Sequence, residues 1–164
     1  EMLRSLVGSE MCIETDLRAR GYEARIQEFS VSSATVELAA QAVGCGSAHI
    51  AKTLSFAVDG GCVLIVCAGD AKIDNPKFKA QFHTKATMLT PEQVLSFTGH
   101  AVGGVCPFAI ERADVKTYLD VSLRRFETVY PAAGNAASAV RLSCAELFSL
   151  SNALGWIDVC KNWK

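Results

Sequence analysis

Two strand-like segments, residues 52–58 with alternating apolar positions and 62–68 apolar throughout, flank Asp59-Gly60-Gly61 and set the pattern of this chain. Apolar runs of this length bounded by turn residues read as strands, and Asp-Gly between them suits a tight hairpin. The second run is apolar at every position, which predicts a strand covered on both faces and central in its sheet, or in a sheet closed on itself. Elsewhere the spacing becomes helical. Leu3, Leu6, Val7, Met11 and Leu17 recur at helix intervals ahead of Gly21. Val36, Ala39, Ala40 and Val43 do the same between Ser33, read with Glu37 as the helix start, and Gly44. Thr90-Pro91-Glu92-Gln93 and Ser143-Cys144-Ala145-Glu146 are capping boxes, opening helices that run to Gly99 and to about Asn152. Further strands are predicted over 24–31, 126–130, 139–142 and 156–160. Both kinds of element are interspersed without regular β-α-β spacing, so the fold class predicted is α+β with a mixed, mostly antiparallel sheet.

Composition narrows the picture. A chain of 164 residues, half of them hydrophobic, suits one domain spanning 1–164 with a core that needs no staples. Its net charge of −1 argues against wrapping long nucleic acid, DNA included, because that affinity comes from many neutralised phosphates. Lys72, Lys77, Lys79 and Lys85 form the most basic stretch and suit a few phosphate contacts or, more simply, a solvated face. Seven cysteines without a C-x-x-C pair indicate neither a disulfide framework nor a zinc knuckle, so a reducing cytoplasm is expected. Cys62 and Cys67 fall on opposite faces of one strand and read as core filler. No apolar run approaches membrane-spanning length and no signal-peptide core is visible. Neither a metal nor a cofactor is indicated: His49 and His83 lack ligand spacing with any carboxylate or thiol.

The candidate chemistry rests on a lysine and a glycine loop. Lys52 shares a period-2 face with Leu54, Phe56 and Val58, so its ammonium sits at the end of a core-facing stripe, where an anionic ligand would suit it. The stretch Thr98-Gly99-His100-Ala101-Val102-Gly103-Gly104-Val105-Cys106-Pro107-Phe108 matches neither the P-loop nor the dinucleotide fingerprint. Gly103 and Gly104 permit close backbone approach and Pro107 stiffens the exit, so the loop could aim N–H groups at an oxyanion. An ordinary turn is the competing reading. Cys106 and His100, six residues apart, also admit a cysteine-hydrolase arrangement, although a structural thiol is the commoner role in a cysteine-rich chain.

Taken together these segments resemble the YbaK family, also called the prolyl-tRNA synthetase-associated editing-domain family. The resemblance runs from about Ser32 to Val159. It includes Ala39-Ala40-Gln41-Ala42-Val43-Gly44, Ile50-Ala51-Lys52-Thr53-Leu54, the glycine-to-proline loop, Ala133-Gly134-Asn135, and Leu142 through Leu147. It implies a barrel-like sheet surrounded by helices and hydrolysis of the ester joining a wrong amino acid to tRNA. The typical tRNA is that for proline, carrying a small non-cognate residue. Lys52 matches the family's required lysine and Gly103-x-x-x-Pro107 the loop that holds the aminoacyl carbonyl. Lys52, Gly103 and Gly104 are thus the expected catalytic residues, with Thr53, His100, Val105, Cys106, Pro107 and Gly134 on the substrate. The family mechanism uses no protein nucleophile; the 2′-hydroxyl of the terminal adenosine helps activate water. Ala109 stands where members often carry glycine. The implied partner is the aminoacyl-tRNA acceptor end, with prolyl-tRNA synthetase a further candidate. The alternative is a non-catalytic module of the same fold that binds aminoacyl-tRNA or a nucleotide.

Overall fold

The architecture is taken from a computed structural model, which describes residues 17, 19, 21–28, 35–100, 105–108, 110, 112–132 and 138–163. Its centre is the hairpin of β2 (Ile50–Val58) and β3 (Gly61–Ala68), paired antiparallel from Ala51 with Ala68 to Val58 with Gly61. The turn works because Asp59 and Gly60 both take left-handed φ, 52° and 78°, the pair of angles a two-residue hairpin demands.

Strand β3 is fully buried from Leu64 to Ala68, as an all-apolar strand must be. Alternation then divides its cysteines. Cys62 joins Leu64, Leu89 and Val94 on one side, while Cys67 joins the main core with Ile65, Phe78, Leu119 and Leu147. Each large apolar side chain so buried contributes roughly 1.5–3 kcal/mol.

Around the hairpin the sheet is mixed. β5 (Val115–Asp120) runs parallel to β3, β8 (Trp156–Ile157) parallel to β5, and β6 (Tyr130–Pro131) parallel to the start of β2. A bridge from Ala132 to Ala139 carries the pairing from β6 to β7 (Ser138–Val140), which pairs antiparallel with β1 (Ile26–Glu28). A separate antiparallel ribbon joins β4 (Lys72–Ile73) to β9 (Cys160–Lys161). The expected α+β class with a mixed sheet is what the chain adopts, and its longest ladder is antiparallel.

Four helices whose bounds fall within the described residues flank the strands. In α1 (Val36–Val43) the cap is Thr35, whose hydroxyl accepts from Leu38 N–H; Ser33, expected there, lies outside the described residues. The helix stops at Gly44, with φ 83°. α3 (Pro91–Thr98) and α4 (Cys144–Leu150) open on the two capping boxes, both formed in full. The helix expected over 2–20 falls almost wholly outside the described residues, although Leu17 is helical and completely buried.

Some elements depart from expectation. α2 (Asn75–Phe82) buries only Phe78 fully, with Phe82 packed at the core's edge, too little apolar periodicity to announce a helix. The strand expected over 126–130 is strand only at Tyr130, preceded by a 3-10 turn at Val121–Arg125 and a bridge from Val129 to Leu142. The strand expected over 156–160 is two short ones, broken where Val159 N–H donates to the buried carboxylate of Asp120. No described helix is long and apolar enough to cross a membrane.

Candidate functional site

A concavity of about 420 Å³ lies along the outer edge of β2. That edge is covered at both ends and open between them. Ile50 and Ala51 pair with β6; further along, the Ser55 carbonyl accepts from Leu89 N–H and Ala57 N–H donates to the Thr87 carbonyl. Among the described residues nothing pairs with Lys52, Thr53 or Leu54 on this side. Strand alternation turns the backbone N–H and C=O of Thr53 to the same edge as those of Ser55 and Ala57, into the gap. The walls are Val36 and Ala39 of α1, Val94 of α3, and Tyr130 and Ser138 beyond β2. They are mostly apolar, as small-ligand sites usually are.

Lys52 also lines this cleft. It sits on the face of Leu54 and Phe56, as its period-2 position requires, and its cross-strand partner is Cys67. What meets its ammonium is the turn after β3: Nζ donates to the carbonyl oxygens of Ala71 at 2.5 Å and Gly69 at 3.3 Å. Two neutral acceptors orient the cation and leave its charge uncancelled, so it remains able to attract an anionic group. The carboxylate nearby is engaged elsewhere. Asp70 takes a two-point contact from Arg125, at 2.6 and 3.0 Å.

The same turn depends on Gly69. A Cβ there would lie 2.0 Å from the Ser47 carbonyl oxygen and 2.7 Å from Val36 Cγ1. Gly69, Asp70 and Arg125 thus form the lysine's seat, and no motif in the sequence marked them.

The Arg125 side chain holds the Asp70 carboxyl below its ordinary range through their hydrogen bond, against the opposing effect of burial. A depressed acid stabilises the fold above its unfolded-state value, near pH 4, and that contribution disappears as pH falls through the folded-state value. Stability should therefore drop more steeply in acid for the native chain than for Asp70→Asn. Denaturant titrations between pH 2 and 6 with parallel slopes for both proteins would contradict this.

The structure separates the remaining candidates. Thr53 and Val105 line the cleft with Lys52. Gly103, Gly104 and Gly134 lie outside the described residues. His100, Cys106 and Pro107 are buried and are not among the cleft-lining residues; Pro107 instead borders a smaller hollow with Ile110 and Val115.

His100 and Cys106 do approach, with Nε2 3.8 Å from Sγ, but Nε2 is 3.0 Å from the Phe108 carbonyl oxygen. That carbonyl can only accept, so Nε2 carries the proton and is no base toward the thiol. Burial also lowers the His100 pKa and favours the neutral ring. Cys106 itself is fully buried. These facts disfavour a thiolate nucleophile.

Cys106→Ala should accordingly leave any ester hydrolysis within about twofold while lowering stability by about 1–2 kcal/mol. An acyl-thioester trapped on the native protein would overturn that expectation. Among the described residues, no three His, Cys, Asp or Glu side chains converge as a metal-holding group.

With this geometry in view, comparison with known proteins places the chain. Residues 31–150 match the model of the aminoacyl-tRNA editing domain, and the chain belongs to that family. An uncharacterized protein of Bacillus subtilis (strain 168), YwhH, is 53% identical over 140 residues, 85% of this chain and 88% of that one. A proline--tRNA ligase of Thermotoga maritima is 31% identical over 91 residues, which are 55% of this chain but only 15% of the ligase. Among solved structures, a candidate trans-editing enzyme for prolyl tRNA synthetase superposes with a TM-score of 0.82 at 30% identity, covering 93% of this chain and 97% of that one.

Proposed function

We propose that this protein is an aminoacyl-tRNA deacylase that hydrolyses the ester of a small non-cognate amino acid on tRNA for proline. The observation that carries the reading is a tethered, uncancelled lysine on the wall of a mostly apolar cleft, in a chain of the editing-domain family. A synthetase pocket rejects a smaller or near-isosteric amino acid by only a few kcal/mol, about 1–3 per methylene, so a second sieve has a physical purpose.

In the proposed reaction the aminoacyl group enters the cleft beside β2, and the Lys52 ammonium holds a phosphate or the ribose of the terminal adenosine. Water, activated with help from the adenosine 2′-hydroxyl, adds to the ester carbonyl. Backbone N–H groups of Gly103 to Val105 are assigned to the tetrahedral oxyanion, which collapses with cleavage of the acyl carbon–oxygen bond. The products are the free amino acid and tRNA with its terminal diol restored. No protein nucleophile is required.

Contact limited to the acceptor end fits a chain whose net charge is −1, because few phosphates need neutralising. Prolyl-tRNA synthetase is a fitting partner for the rest of the tRNA, and the cytoplasm is where such a reaction would be needed. The decisive assay charges tRNA for proline with alanine, serine, threonine, cysteine and 2-aminobutyrate and follows release of each. Binding without release of any of them would make the protein a non-catalytic module.

A further inference from the structure

Two hydroxyls on the cleft wall have no partner. Thr53 Oγ1 and Ser138 Oγ are buried without a hydrogen bond, and both residues line the cavity beside β2. Ser138 is only 3% exposed and opens β7, which a bridge joins to β6 beside β2. Folded proteins rarely leave buried hydroxyls unpaired, and two in one mostly apolar cleft indicate that a polar atom is meant to arrive there.

The surroundings indicate which kind. A described lining without carboxylates, carrying the Lys52 cation, suits a neutral group better than an ammonium. An alcohol can both donate and accept, and so can satisfy two hydroxyls at once, whereas a thiol makes only weak bonds. The substrate's own ammonium has a different acceptor available in the Thr53 carbonyl on the open strand edge.

We infer that Thr53 and Ser138 read a side-chain hydroxyl, so that the preferred substrate is the ester of a small hydroxyl-bearing amino acid, serine or threonine, over alanine. This rests on the editing reading above and specifies its substrate. The step is hydrolysis alone: water adds, the acyl–oxygen bond breaks, and the side-chain hydroxyl is retained unchanged.

The test measures kcat/KM on tRNA for proline charged with serine, threonine or alanine. A site built to bond a hydroxyl should favour seryl over alanyl ester by about tenfold or more. Thr53→Val and Ser138→Ala should each reduce that ratio about tenfold, through loss of seryl hydrolysis, and Thr53→Ser should restore it. Binding of non-hydrolysable 3′-seryl-amido and 3′-alanyl-amido adenosine to the native protein should show the same preference, a readout that does not depend on the variants folding. Equal turnover and equal binding of the seryl and alanyl forms, or a ratio unmoved by both variants, overturns the inference while leaving deacylation in place. Release of cysteine or 2-aminobutyrate but of none of these three overturns the inference alone, and release of none of the five takes the editing reading down with it.

Discussion

Lys52→Ala should abolish deacylation, lowering kcat/KM by at least about 100-fold, because removing the positioned cation costs both attraction and alignment of the substrate's terminal nucleotide. The fold should survive. Lys52 is only partly buried, and the variant removes one donor from two backbone carbonyls, a loss of about 1–3 kcal/mol. Lys52→Arg should not rescue activity: a planar guanidinium presents a rigid fork, whereas the two carbonyls converge on a compact ammonium. The measurement is single-turnover release of the amino acid from mischarged tRNA, with thermal unfolding run alongside. Turnover unchanged in Lys52→Ala would remove this residue from the mechanism, whatever the stability result.

Gly69→Ala should be the most damaging small substitution near the site. The added methyl would meet the backbone oxygen of Ser47 at 2.0 Å, and neither that carbonyl nor Val36 can yield without moving the turn ahead of β2 or the start of α1. Overpacking of this kind costs about 1–3 kcal/mol, and contact with backbone belongs at the upper end. At 2–4 °C per kcal/mol for a chain of this size, the melting temperature should fall by roughly 6–12 °C.

Activity should fall as well, by about tenfold at temperatures where the variant is folded, because displacing the Gly69 and Ala71 carbonyls turns the Lys52 ammonium out of line. An unchanged melting temperature would show that Ser47 and Val36 can move apart at little cost. A lower melting temperature with full turnover would show that the two carbonyls do not position the lysine.

These two predictions separate what could be read along the chain from what could not. The hairpin was legible because Asp59 and Gly60 satisfy a local backbone requirement between two apolar runs, and no distant contact is needed to decide it. Helices α3 and α4 were legible for a similar reason: each capping box is complete within four residues. Lys52 could be singled out because a cation on a core-facing stripe asks for an explanation.

Strand β5 escaped notice because Val115-Lys116-Thr117-Tyr118-Leu119-Asp120 carries a lysine and a carboxylate, and it is strand because β3 and β8 pair with it on either side. Asp120 is tolerated at its buried end only because Ser122 N–H and Val159 N–H both donate to it. The seat of the lysine was hidden too. Gly69 is unremarkable until Ser47 and Val36 are seen against it, and Asp70 until Arg125, 55 positions on, closes onto it.

By itself, then, the amino-acid order determined the local geometry of turns and caps, the mixed α+β class, the family resemblance, and the lysine and loop on which the chemistry was expected to rest. Only the tertiary structure decided which of those residues share a cleft: Lys52, Thr53 and Val105 line it, whereas His100, Cys106 and Pro107 do not. Local elements follow from short-range backbone and capping energetics, written over a few consecutive residues. A cleft is made from the open edge of one strand and the side chains of distant segments, and the pairing that leaves Ser138 Oγ facing an apolar hollow has no signature within its own stretch of chain.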